Sequence, residues 1–486
     1  MAAPRSHLRS NDPRIPVLNA VLATGEHHPT RKELADVAGV SPRSVMNVIH
    51  QLAEFGVLER DPLQLGPGCG FVLSIALDSE SMRGGLLDAN GTLHHQNEMP
   101  ARVGQLDLSP DQLLERLREL AALIMASGLD DPALHVGGVL RMLGVNVAWP
   151  TPTDRRGFTH GRALSSPDWR YPRAGEPTLR SLAEHVALAL GPPFSEHFVG
   201  AINDANADAL SVAFDHARAR APEDDEIDTP RVIITVRIGG GLGAAIIELP
   251  PHRRNVLSFI QARLMIGTNG YAGELGHLPI SPATVQAITK DPPEGLAPIG
   301  HWACSCGGYG HLESLASGTA FARRMQASGH EVMNDPARAR SRIHALIHDR
   351  SNAQAQHALL DCGRLIGRAL ANPILMLDPH TVTLTGFLAD EQVKRGVQLE
   401  RGIWGSAIGD TVIIDNLRDN RYAYNAARGA GLAVIRNQVM HQLPRLLRPD
   451  SLDKLTFPFE PPHLKTMLAT RPPPSTTPDE QPLPPA

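Results

Sequence analysis

Residues 30–60 read TRKELADVAGVSPRSVMNVIHQLAEFGVLER, and this stretch decides the fold of the N-terminal part of the chain. Thr30 is followed three residues later by Glu33, which is the pattern of a capping box. The hydroxyl and the carboxylate satisfy backbone amides that a first helical turn leaves free, so a helix is expected to begin here. Gly39 then permits a sharp turn. The segment therefore predicts two short helices joined by a glycine turn.

A second helix follows this turn. Ser41 caps it and Pro42 takes the first helical position, where a missing amide hydrogen costs nothing. Its apolar residues at helical spacing are Val45, Ile49 and Leu52. Its remaining face carries Arg43, Ser44, Asn47, His50 and Gln51. Residues 55–58, FGVL, end the helix and begin a two-stranded wing.

The polar face of this second helix offers donors and acceptors that suit base edges and phosphates. A helix of this kind reads DNA when it lies in the major groove. We therefore expect contacts to double-stranded DNA from Arg31, Arg43, Ser44, Asn47, His50 and Gln51. The alternative is a three-helix bundle used for protein contacts, because the same geometry is also a packing solution.

The bulk composition describes a multidomain protein. A chain of 486 residues with 42% hydrophobic and 20% charged content can form two or three cores. No stretch approaches the roughly 20 apolar residues that span a bilayer, so we expect a cytoplasmic protein with no membrane partner. The net charge of -5 neither indicates nor excludes a nucleic-acid partner, since a small reading head can act within an acidic chain.

After the glycine- and proline-rich patch at 66–68, which marks a hairpin tip or a boundary, the pattern becomes α/β. Strands are expected at 71–77, 85–87, 135–140, 197–202, 232–236, 244–248 and 381–385, and helices at 109–127, 178–190, 353–377 and 423–438. This order favours two α/β lobes with a cleft between them. After about Arg448 proline and polar residues dominate, so a mobile tail is expected.

Three separated motifs carry the residues suited to chemistry. Asn203 and Asp204 follow a predicted strand, where they bind a hydroxylated ligand or only cap a helix. Residues 273–277 read GELGH, and residues 304–313 read CSCGGYGHLE. The last two motifs supply four ligands suited to tetrahedral zinc in a closed structural site, namely His277, Cys304, Cys306 and His311. Free buried thiols with surface histidines are the alternative, and His301 could replace one ligand.

These segments resemble a known family. Residues 30–60 resemble the winged helix-turn-helix of repressor, open reading frame and kinase (ROK) family transcriptional regulators of the NagC/XylR-like type, with 42–54 as the recognition helix. The three motifs resemble, in order, the asparagine–aspartate motif, the glutamate–glycine–histidine motif and the zinc loop of that family. The resemblance spans about Phe71 to Gln438. The family usually has a third cysteine where this chain has His311, which still preserves a metal-binding side chain.

The resemblance implies a fold class and a domain division. It implies an α/β protein in which an N-terminal winged helix-turn-helix precedes a two-lobed actin-like ATPase or sugar-kinase (ROK) fold. The expected domains are residues 1–68, residues 69–447 with lobes of about 69–200 plus 424–447 and about 201–423, and a tail at 448–486. It also implies a hexose-like ligand among Asn203, Asp204, Glu274, His277 and Glu313. Asp204 takes the position of the kinase base.

The phosphate-binding segments of a kinase are altered in this chain. A kinase of this type needs glycine-rich hairpins that let backbone amides approach phosphates. The first hairpin reads DSESMR at 78–83, without glycine, and Glu80 repels a nucleotide unless Arg83 offsets its charge. Residues 239–243, GGGLG, keep their glycines, which suit a tight turn as well as they suit phosphate. Phe387 stands where relatives that bind a nucleotide favour small glycines.

Together these observations predict a regulator and no enzyme. We expect a transcriptional repressor whose kinase-like domain senses a sugar or sugar derivative, with structural zinc as the cofactor and operator DNA as a partner. Because one reading head alone binds weakly, a homodimer or a dimer of dimers is expected. Two alternatives stay open: an ATP-dependent sugar kinase with a DNA-binding head, and a regulator that has lost sugar binding.

Overall fold

The computed structural model describes most of the chain. It covers residues 14–23, 30–61, 63–78, 81–103, 106–107, 110–155, 181–218, 229–250, 259–289, 301–304, 306–330, 332, 336–405, 409–416, 423–440 and 456–469. Within these residues, no helix is long and apolar enough to cross a membrane.

The N-terminal part is three helices followed by a two-stranded hairpin. Its elements are α1 (Arg14–Ala23), α2 (Arg31–Ala38), α3 (Pro42–Glu54), β1 (Leu58–Arg60) and β2 (Leu63–Leu65). The Thr30 hydroxyl accepts from the Glu33 amide, and the Glu33 carboxylate accepts from the Thr30 amide, so the predicted capping box is present. Gly39 ends α2 with a left-handed φ of 64°, and Ser41 caps α3. The predicted bounds of the second helix are therefore confirmed.

The patch at 66–68 follows the hairpin and does not form its tip, because β1 and β2 pair Arg60 with Leu63 across the turn. The Gly66 and Gly68 amides donate to the carbonyls of Val57 and Gly56, at 2.8 and 2.9 Å. A Cβ atom on Gly66 would lie 2.2 Å from the Gly56 carbonyl oxygen, so the glycine permits this close approach. The patch thus joins the hairpin to the lobe that follows.

The first lobe is built on a mixed sheet whose main order is β10-β9-β3-β4-β5. Its elements are β3 (Phe71–Leu77), β4 (Ser81–Leu87), β5 (Leu93–Pro100), β6 (Arg102–Val103), β7 (Leu106–Asp107), α4 (Pro110–Leu129), β8 (His135–Val136), β9 (Val139–Trp149), α5 (Leu182–Leu190) and β10 (Val199–Asn203). The central strand β9 runs parallel to β3 and β10, while β4 is antiparallel to both of its neighbours.

The second lobe has the sheet order β13-β12-β11-β14-β15. Its elements are α6 (Asp204–Arg218), β11 (Arg231–Ile238), β12 (Leu242–Leu249), β13 (Arg263–Met265), α7 (Pro282–Ile288), α8 (Leu312–Ala316), α9 (Gly318–Ala327), α10 (Pro336–His348), α11 (Ala353–Leu377), β14 (Thr381–Thr385), α12 (Glu391–Leu399) and β15 (Ile413–Asn416). The chain then returns through α13 (Asn425–Val434) and a π-helical segment (Ile435–Met440), and α13 packs along α6 and the first sheet.

Two predicted strands were wrong in extent. The strand expected at 85–87 begins four residues earlier, at Ser81. In place of the single strand expected at 135–140, the structure has two strands. The short strand β8 ends at Val136, and the long strand β9 begins at Val139 and continues to Trp149. Nearly every residue of β9 from Leu140 onward is buried, so its sequence shows no alternation from which its length could be read. By contrast, α11 and β14 have the predicted bounds at both ends.

The mobile tail expected after about Arg448 needs a correction. Strand β16 (Phe457–Phe459) pairs antiparallel with β9, and helix α14 (Pro461–Ala469) packs against α4. Phe459 is 1% exposed and stacks on Phe194 with ring centroids 5.5 Å apart. The proline-rich and polar composition after Arg448 led to the wrong prediction, because it does not reflect the local alternation at 457–459. There, two buried phenylalanines flank an exposed proline. Residues 448–455 and 470–486 lie outside the described part of the chain.

Candidate functional site

Helix α3 presents the side chains that the sequence analysis assigned to DNA. Arg43, Asn47, His50 and Gln51 are exposed, Ser44 is half-buried, and Arg31 is exposed at the start of α2. The opposite face is buried against the other helices through Val45, Val48, Ile49 and Leu52. The burial of the apolar stripe thus fixes the polar face of α3 toward solvent.

Histidine 50 has partners that the sequence analysis did not anticipate. His50 Nδ1 bonds with the Arg60 guanidinium on strand β1, and His50 Nε2 lies 3.5 Å from Glu54 Oε1. These contacts connect α3 to the wing. Arg60 lies two residues after the apolar pair Val57 and Leu58, and this position on the first strand of the wing was the available signal for a second basic group beside the helix.

The Asn203–Asp204 motif lies where β10 ends and α6 begins. Asn203 Oδ1 accepts from the Asn206 amide at 3.1 Å, and Asn203 Nδ2 donates to the Thr151 carbonyl at 3.2 Å. Asp204 Oδ1 accepts from the Ala205 amide at 2.8 Å. The capping role that the sequence analysis gave as an alternative is therefore present. Asp204 Oδ2 takes no part in it.

An arginine missed by the sequence analysis occupies the cleft beside this motif. Arg237 Nε lies 2.9 Å from Asp204 Oδ2, and its Nη1 lies 2.8 Å from Oδ2 of Asp208, which is fully buried. Thr385 also donates to Asp208 Oδ2, at 2.8 Å. Burial raises the pKa of Asp204 to about 6, and the charge of Arg237 acts against this rise. Arg237 is a charged residue near the end of the otherwise apolar strand RVIITVRI, and this unusual position could have marked it as a functional residue in the sequence.

Glu274, His277 and Glu313 approach the same cleft from the second lobe. Glu274 Oε2 lies 3.6 Å from His277 Nε2, and Glu313 Oε2 accepts from the Leu242 amide at 3.2 Å. The pKa of Glu274 is raised to about 7, and burial is the main cause. His277 acts to lower this pKa, whereas the negative charges of Asp204 and Glu313 act to raise it further. The structure thus brings these carboxylates and the imidazole together around one polar space.

The hairpin between β3 and β4, which the sequence analysis compared with a phosphate-binding segment, carries an ion-pair network. Arg83 Nη1 lies 2.8 Å from Asp78 Oδ2, and Arg83 Nη2 lies 2.8 Å from Glu98 Oε1. Only 7% of the Arg83 side chain is exposed. The Arg83 guanidinium therefore pairs with the carboxylates of Asp78 and Glu98. Glu80, whose negative charge Arg83 was expected to balance, lies outside the described residues.

The second glycine hairpin is the turn between β11 and β12. Its carbonyls at Gly239 and Gly240 accept from the amides of Gly318 and Thr319, at 2.8 and 3.2 Å, where α9 begins. The ring of Phe387 lies close to Gly318 at this junction. A Cβ atom added to Gly318 would be only 2.3 Å from Phe387 Cζ. Phe387 thus lies beside the glycine turn.

Four cysteine and histidine side chains form a group that could hold a metal ion. The ligand atoms of His277, Cys304, Cys306 and His311 all lie within 4.8 Å of one another. Cys304 Sγ is 3.4 Å from His277 Nδ1, and Cys306 Sγ is 3.1 Å from His311 Nδ1. These spacings and the two-sulfur, two-nitrogen donor set suit a tetrahedral ion of the zinc type. His301 is exposed and is not one of the four.

A comparison with protein families identifies the domain that carries this cleft. A model of the ROK family matches residues 193–393. The matched stretch is less than half of the chain. The matched stretch includes the Asn203–Asp204 motif, Arg237, Glu274 and the whole cysteine–histidine group.

The similar proteins include both a regulator and a kinase. The chain is 21% identical over 375 residues to the DNA-binding transcriptional dual regulator NagC of Escherichia coli strain K12, covering 74% of this chain and 77% of NagC. It is 27% identical over 188 residues to N-acetyl-D-glucosamine kinase of Erwinia tasmaniensis, covering 39% of this chain and 51% of the kinase. The chain therefore spans about half the length of this kinase.

Solved structures confirm the predicted fold class. A ROK family transcriptional regulator described as a homolog of the E. coli MLC protein has a TM-score of 0.54 at 18% identity, covering 89% of this chain and 99% of that one. A ROK family glucokinase from Streptomyces griseus, in complex with glucose and AMPPNP, has a TM-score of 0.50 at 16% identity, covering 74% of this chain and 98% of that one. At these identities the likeness establishes the fold alone.

Proposed function

We propose that this chain is a DNA-binding transcriptional regulator, acting as a repressor, whose ROK domain senses a sugar or sugar derivative. The observation that carries the proposal is the exposed polar face of α3 on a three-helix body with a wing. Arg43 and Asn47 offer, respectively, a cation for phosphates and an amide for an adenine edge. Similarity to NagC over 74% of the chain supports the same role. Because operator DNA is its partner, the protein acts in the cytoplasm.

The reading head works in pairs in this proposal. A single module gains too little from a few base contacts to find one site among many, so two heads related by symmetry read a palindrome. A homodimer or a dimer of dimers provides that arrangement. The division into a head (1–68), a ROK domain (69–447) and a tail (448–486) is part of the proposal, with 457–469 reassigned to the first lobe.

The ROK domain acts here as a sensor because its kinase groups are engaged internally. A general base needs a free carboxylate oxygen that faces the substrate hydroxyl. Asp204 Oδ2 instead lies 2.9 Å from Arg237, and Asp78 Oδ2 lies 2.8 Å from Arg83. The ring of Phe387 takes space beside the glycine turn. Each engaged oxygen keeps a second lone pair, so the group of Asn203, Asp204, Glu274, His277 and Glu313 can still accept hydrogen bonds from sugar hydroxyls without transferring phosphate.

Helix α6 offers a route from the cleft to the reading head. Asp204 begins this helix, and Asp215 and Arg218 are near its end. Arg218 bonds with the Asn90 carbonyl, and Arg428, which pairs with Asp215, donates to the Gly91 carbonyl at 2.8 Å. Asn90 in turn bonds with the backbone of the wing. A ligand that favours one position of α6 would therefore change the placement of the wing.

A structural zinc ion is the cofactor in this proposal. His277, Cys304, Cys306 and His311 would hold it, and the ion would join the Cys304 loop to the segment that carries Glu274. Because the ring of His277 would be fixed, its neighbour Glu274 would keep a defined place in the cleft.

A second candidate function is an ATP-dependent sugar kinase with a DNA-binding head. Two observations favour it: the 27% identity to N-acetyl-D-glucosamine kinase, and a pKa of about 6 at Asp204, which suits a general base. Under the sensor proposal, purified protein with magnesium ATP and a hexose panel forms no sugar phosphate. ATP-dependent phosphorylation that disappears in Asp204→Asn would establish the kinase.

The regulator proposal is tested by recovering the DNA that the full-length chain binds. Genomic fragments retained by purified protein are sequenced, and the enriched duplex is titrated by fluorescence anisotropy at several salt concentrations. We expect a palindrome, an even number of chains per duplex, and an affinity that falls as salt rises. Absence of any enriched sequence at low salt would contradict the proposal.

A further inference from the structure

Two histidines lie one turn apart on helix α10 of the second lobe. His344 and His348 are separated by four positions, and this spacing places both side chains on one face of a helix. Their Nε2 atoms are 3.3 Å apart, and their ring centroids are 4.3 Å apart at an interplanar angle of 63°. His348 is exposed and His344 is half-buried. The helix therefore brings two imidazole nitrogens together at the surface.

The other face of α10 holds this pair in position. Ile343 is 6% exposed and Ile347 is 1% exposed, and both belong to the core of the second lobe. The end of the helix is also joined to α11, since Gln356 Nε2 donates to the carbonyls of Ile347 and Asp349, at 3.3 and 3.1 Å. The backbone under the two histidines is thus fixed, so a ligand that binds both rings has little further freedom to remove.

The spacing of the two nitrogens matches that of two ligands on a tetrahedral ion. Zinc binds an imidazole nitrogen at about 2.0–2.1 Å, and two ligands of a tetrahedral ion at that distance are about 3.3 Å apart. The observed separation of 3.3 Å therefore needs no adjustment. A hydrogen bond between the two rings is the alternative. It would be longer than the roughly 2.7–3.2 Å that is usual when an N–H group donates to oxygen.

The place of the pair along α10 favours a cation. His348 lies in the last turn of the helix, where the final carbonyls give the helix end a partial negative charge. A divalent ion bound to both imidazoles would lie beside this turn and gain from that charge. Neutral imidazole is also a ligand that suits zinc and its neighbours in the first transition series.

The histidine pair shares no residue with the cysteine–histidine group. Across the described residues, that group is the one set of three or more histidine, cysteine or carboxylate side chains whose ligand atoms converge. An ion at His344 and His348 would therefore complete its coordination with water. Two protein ligands hold an ion more weakly than the four of a closed structural site, so this ion would exchange with solution.

We propose that His344 and His348 form a second metal site, an open and exchangeable one for zinc. The two Nε2 atoms would bind the ion and thereby join successive turns at the end of α10. The site goes beyond the proposed function, because its occupancy requires neither DNA binding, nor the polar cleft, nor the cysteine–histidine group.

Calorimetric titration of the full-length protein with zinc tests this site. The protein, purified without a histidine tag, is saturated with zinc and desalted so that tightly bound metal stays in place, and zinc is then added again. We expect a further ion per chain, with an affinity in the micromolar range. His344→Gln and His348→Gln should each weaken this binding at least tenfold. His357→Gln, which changes an exposed histidine on α11, should alter it by less than twofold.

A rearranged pair separates the effect of geometry from the number of histidines. His348→Ala combined with Ala345→His keeps two histidines on α10 but places them at adjacent positions, which do not face each other on a helix. Ala345 is exposed, so the larger side chain has room. The rearranged protein should bind zinc as weakly as His348→Gln does. An affinity equal to that of the parent would overturn the proposal, because the spacing would then be irrelevant.

Three further results would also overturn it. The first is loss of the weaker ion in Cys306→Ser with His348→Gln unaffected, which would assign that ion to the cysteine–histidine group. The second is a parent protein that takes up no further ion at millimolar zinc. The third concerns thermal melting, in which added zinc should raise the Tm of the parent but not that of His348→Gln. A lower Tm of both glutamine variants without added zinc would show that the two rings stabilise the helix by contacting each other.

Discussion

The side-chain amide of Asn90 makes two hydrogen bonds to the backbone of Leu65. Asn90 Nδ2 donates to the Leu65 carbonyl at 2.7 Å, and Asn90 Oδ1 accepts from the Leu65 amide at 3.2 Å. Leu65 ends strand β2 of the wing, and Asn90 lies in the turn between β4 and β5 of the first lobe. One amide thus joins the N-terminal hairpin to the first lobe.

Asn90→Ala should loosen the wing. Loss of two hydrogen bonds to a half-buried strand costs about 1–3 kcal/mol locally, so the Leu65 amide should exchange its hydrogen about tenfold faster or more. Hydrogen exchange with mass spectrometry measures this directly. Asn97→Ala is the matched control, since the bond that the Asn97 side chain makes within the described part of the chain is local, to the Glu98 amide. Unchanged exchange at Leu65 would show that the wing is held by other contacts.

Asn47→Ala should weaken operator binding. An amide that contacts a base edge contributes about 1–3 kcal/mol, which corresponds to roughly a 5- to 150-fold loss of affinity. The measurement is fluorescence anisotropy with the duplex recovered from the genome. Gln398→Ala, an exposed amide on α12, should bind as the parent does. Equal affinities for the two variants would exclude a base contact by Asn47.

Cys306→Ser should lower the bound zinc. Serine oxygen is a poor zinc ligand, so the four-ligand group loses one sulfur and the metal content should fall well below one ion per chain. Elemental analysis of the purified proteins measures this content. Cys362→Ser, which changes a buried thiol outside the group, should keep near-stoichiometric metal. A parent protein without zinc would remove the proposed cofactor.

Arg237→Met should destabilise the protein more at pH 8 than at pH 5. The substitution leaves Asp204 and Asp208 without their cation, and breaking a buried pair in this way costs about 3–5 kcal/mol. The folded-state pKa of Asp204, already raised to about 6, should rise further above its unfolded value of 3.8. A raised carboxyl pKa makes the folded state hold its proton, so the loss is small below about pH 4 and grows as pH rises.

Urea denaturation of Arg237→Met and its parent at both pH values measures this difference. Arg395→Met should match the parent at each pH, because its side chain is exposed. A loss of stability that is the same at pH 5 and pH 8 would show that Asp204 does not titrate in this range.

Phe459→Ala should release the C-terminal strand from the first lobe. The ring is 1% exposed and stacks on Phe194, so its removal should cost about 3–5 kcal/mol. Limited proteolysis should then cut within 456–469 faster than in the parent. Pro458→Ala, which changes the exposed residue of the same strand, should not. Equal cleavage of both variants would indicate that β16 contributes little to the fold.

Local sequence was sufficient to predict the helices of the N-terminal part and the loop that carries Cys304 and Cys306. The capping box at Thr30, the glycine turn and the cap at Ser41 involve residues within four positions of one another, so their geometry follows from the neighbouring side chains. Cys304 and Cys306 are likewise brought together by a tight turn. Similarity of separated motifs to a family supplied the order of the two lobes.

Other features depended on how distant segments pack. Arg237 meets Asp204 and Asp208 only because β11 and α6 are adjacent in the folded chain. Strand β16 finds its partner β9 more than 300 residues earlier, and no pattern within it specifies that pairing. A cavity lined by Asn146 and Asn206 also takes residues from the edge strands β10 and β13, which belong to different sheets. Helix starts and turns depend on contacts between residues that are neighbours in sequence, so the sequence predicts them. Ion pairs, edge-strand pairing and cavities depend on contacts between residues that are distant in sequence, and only the tertiary structure shows those contacts.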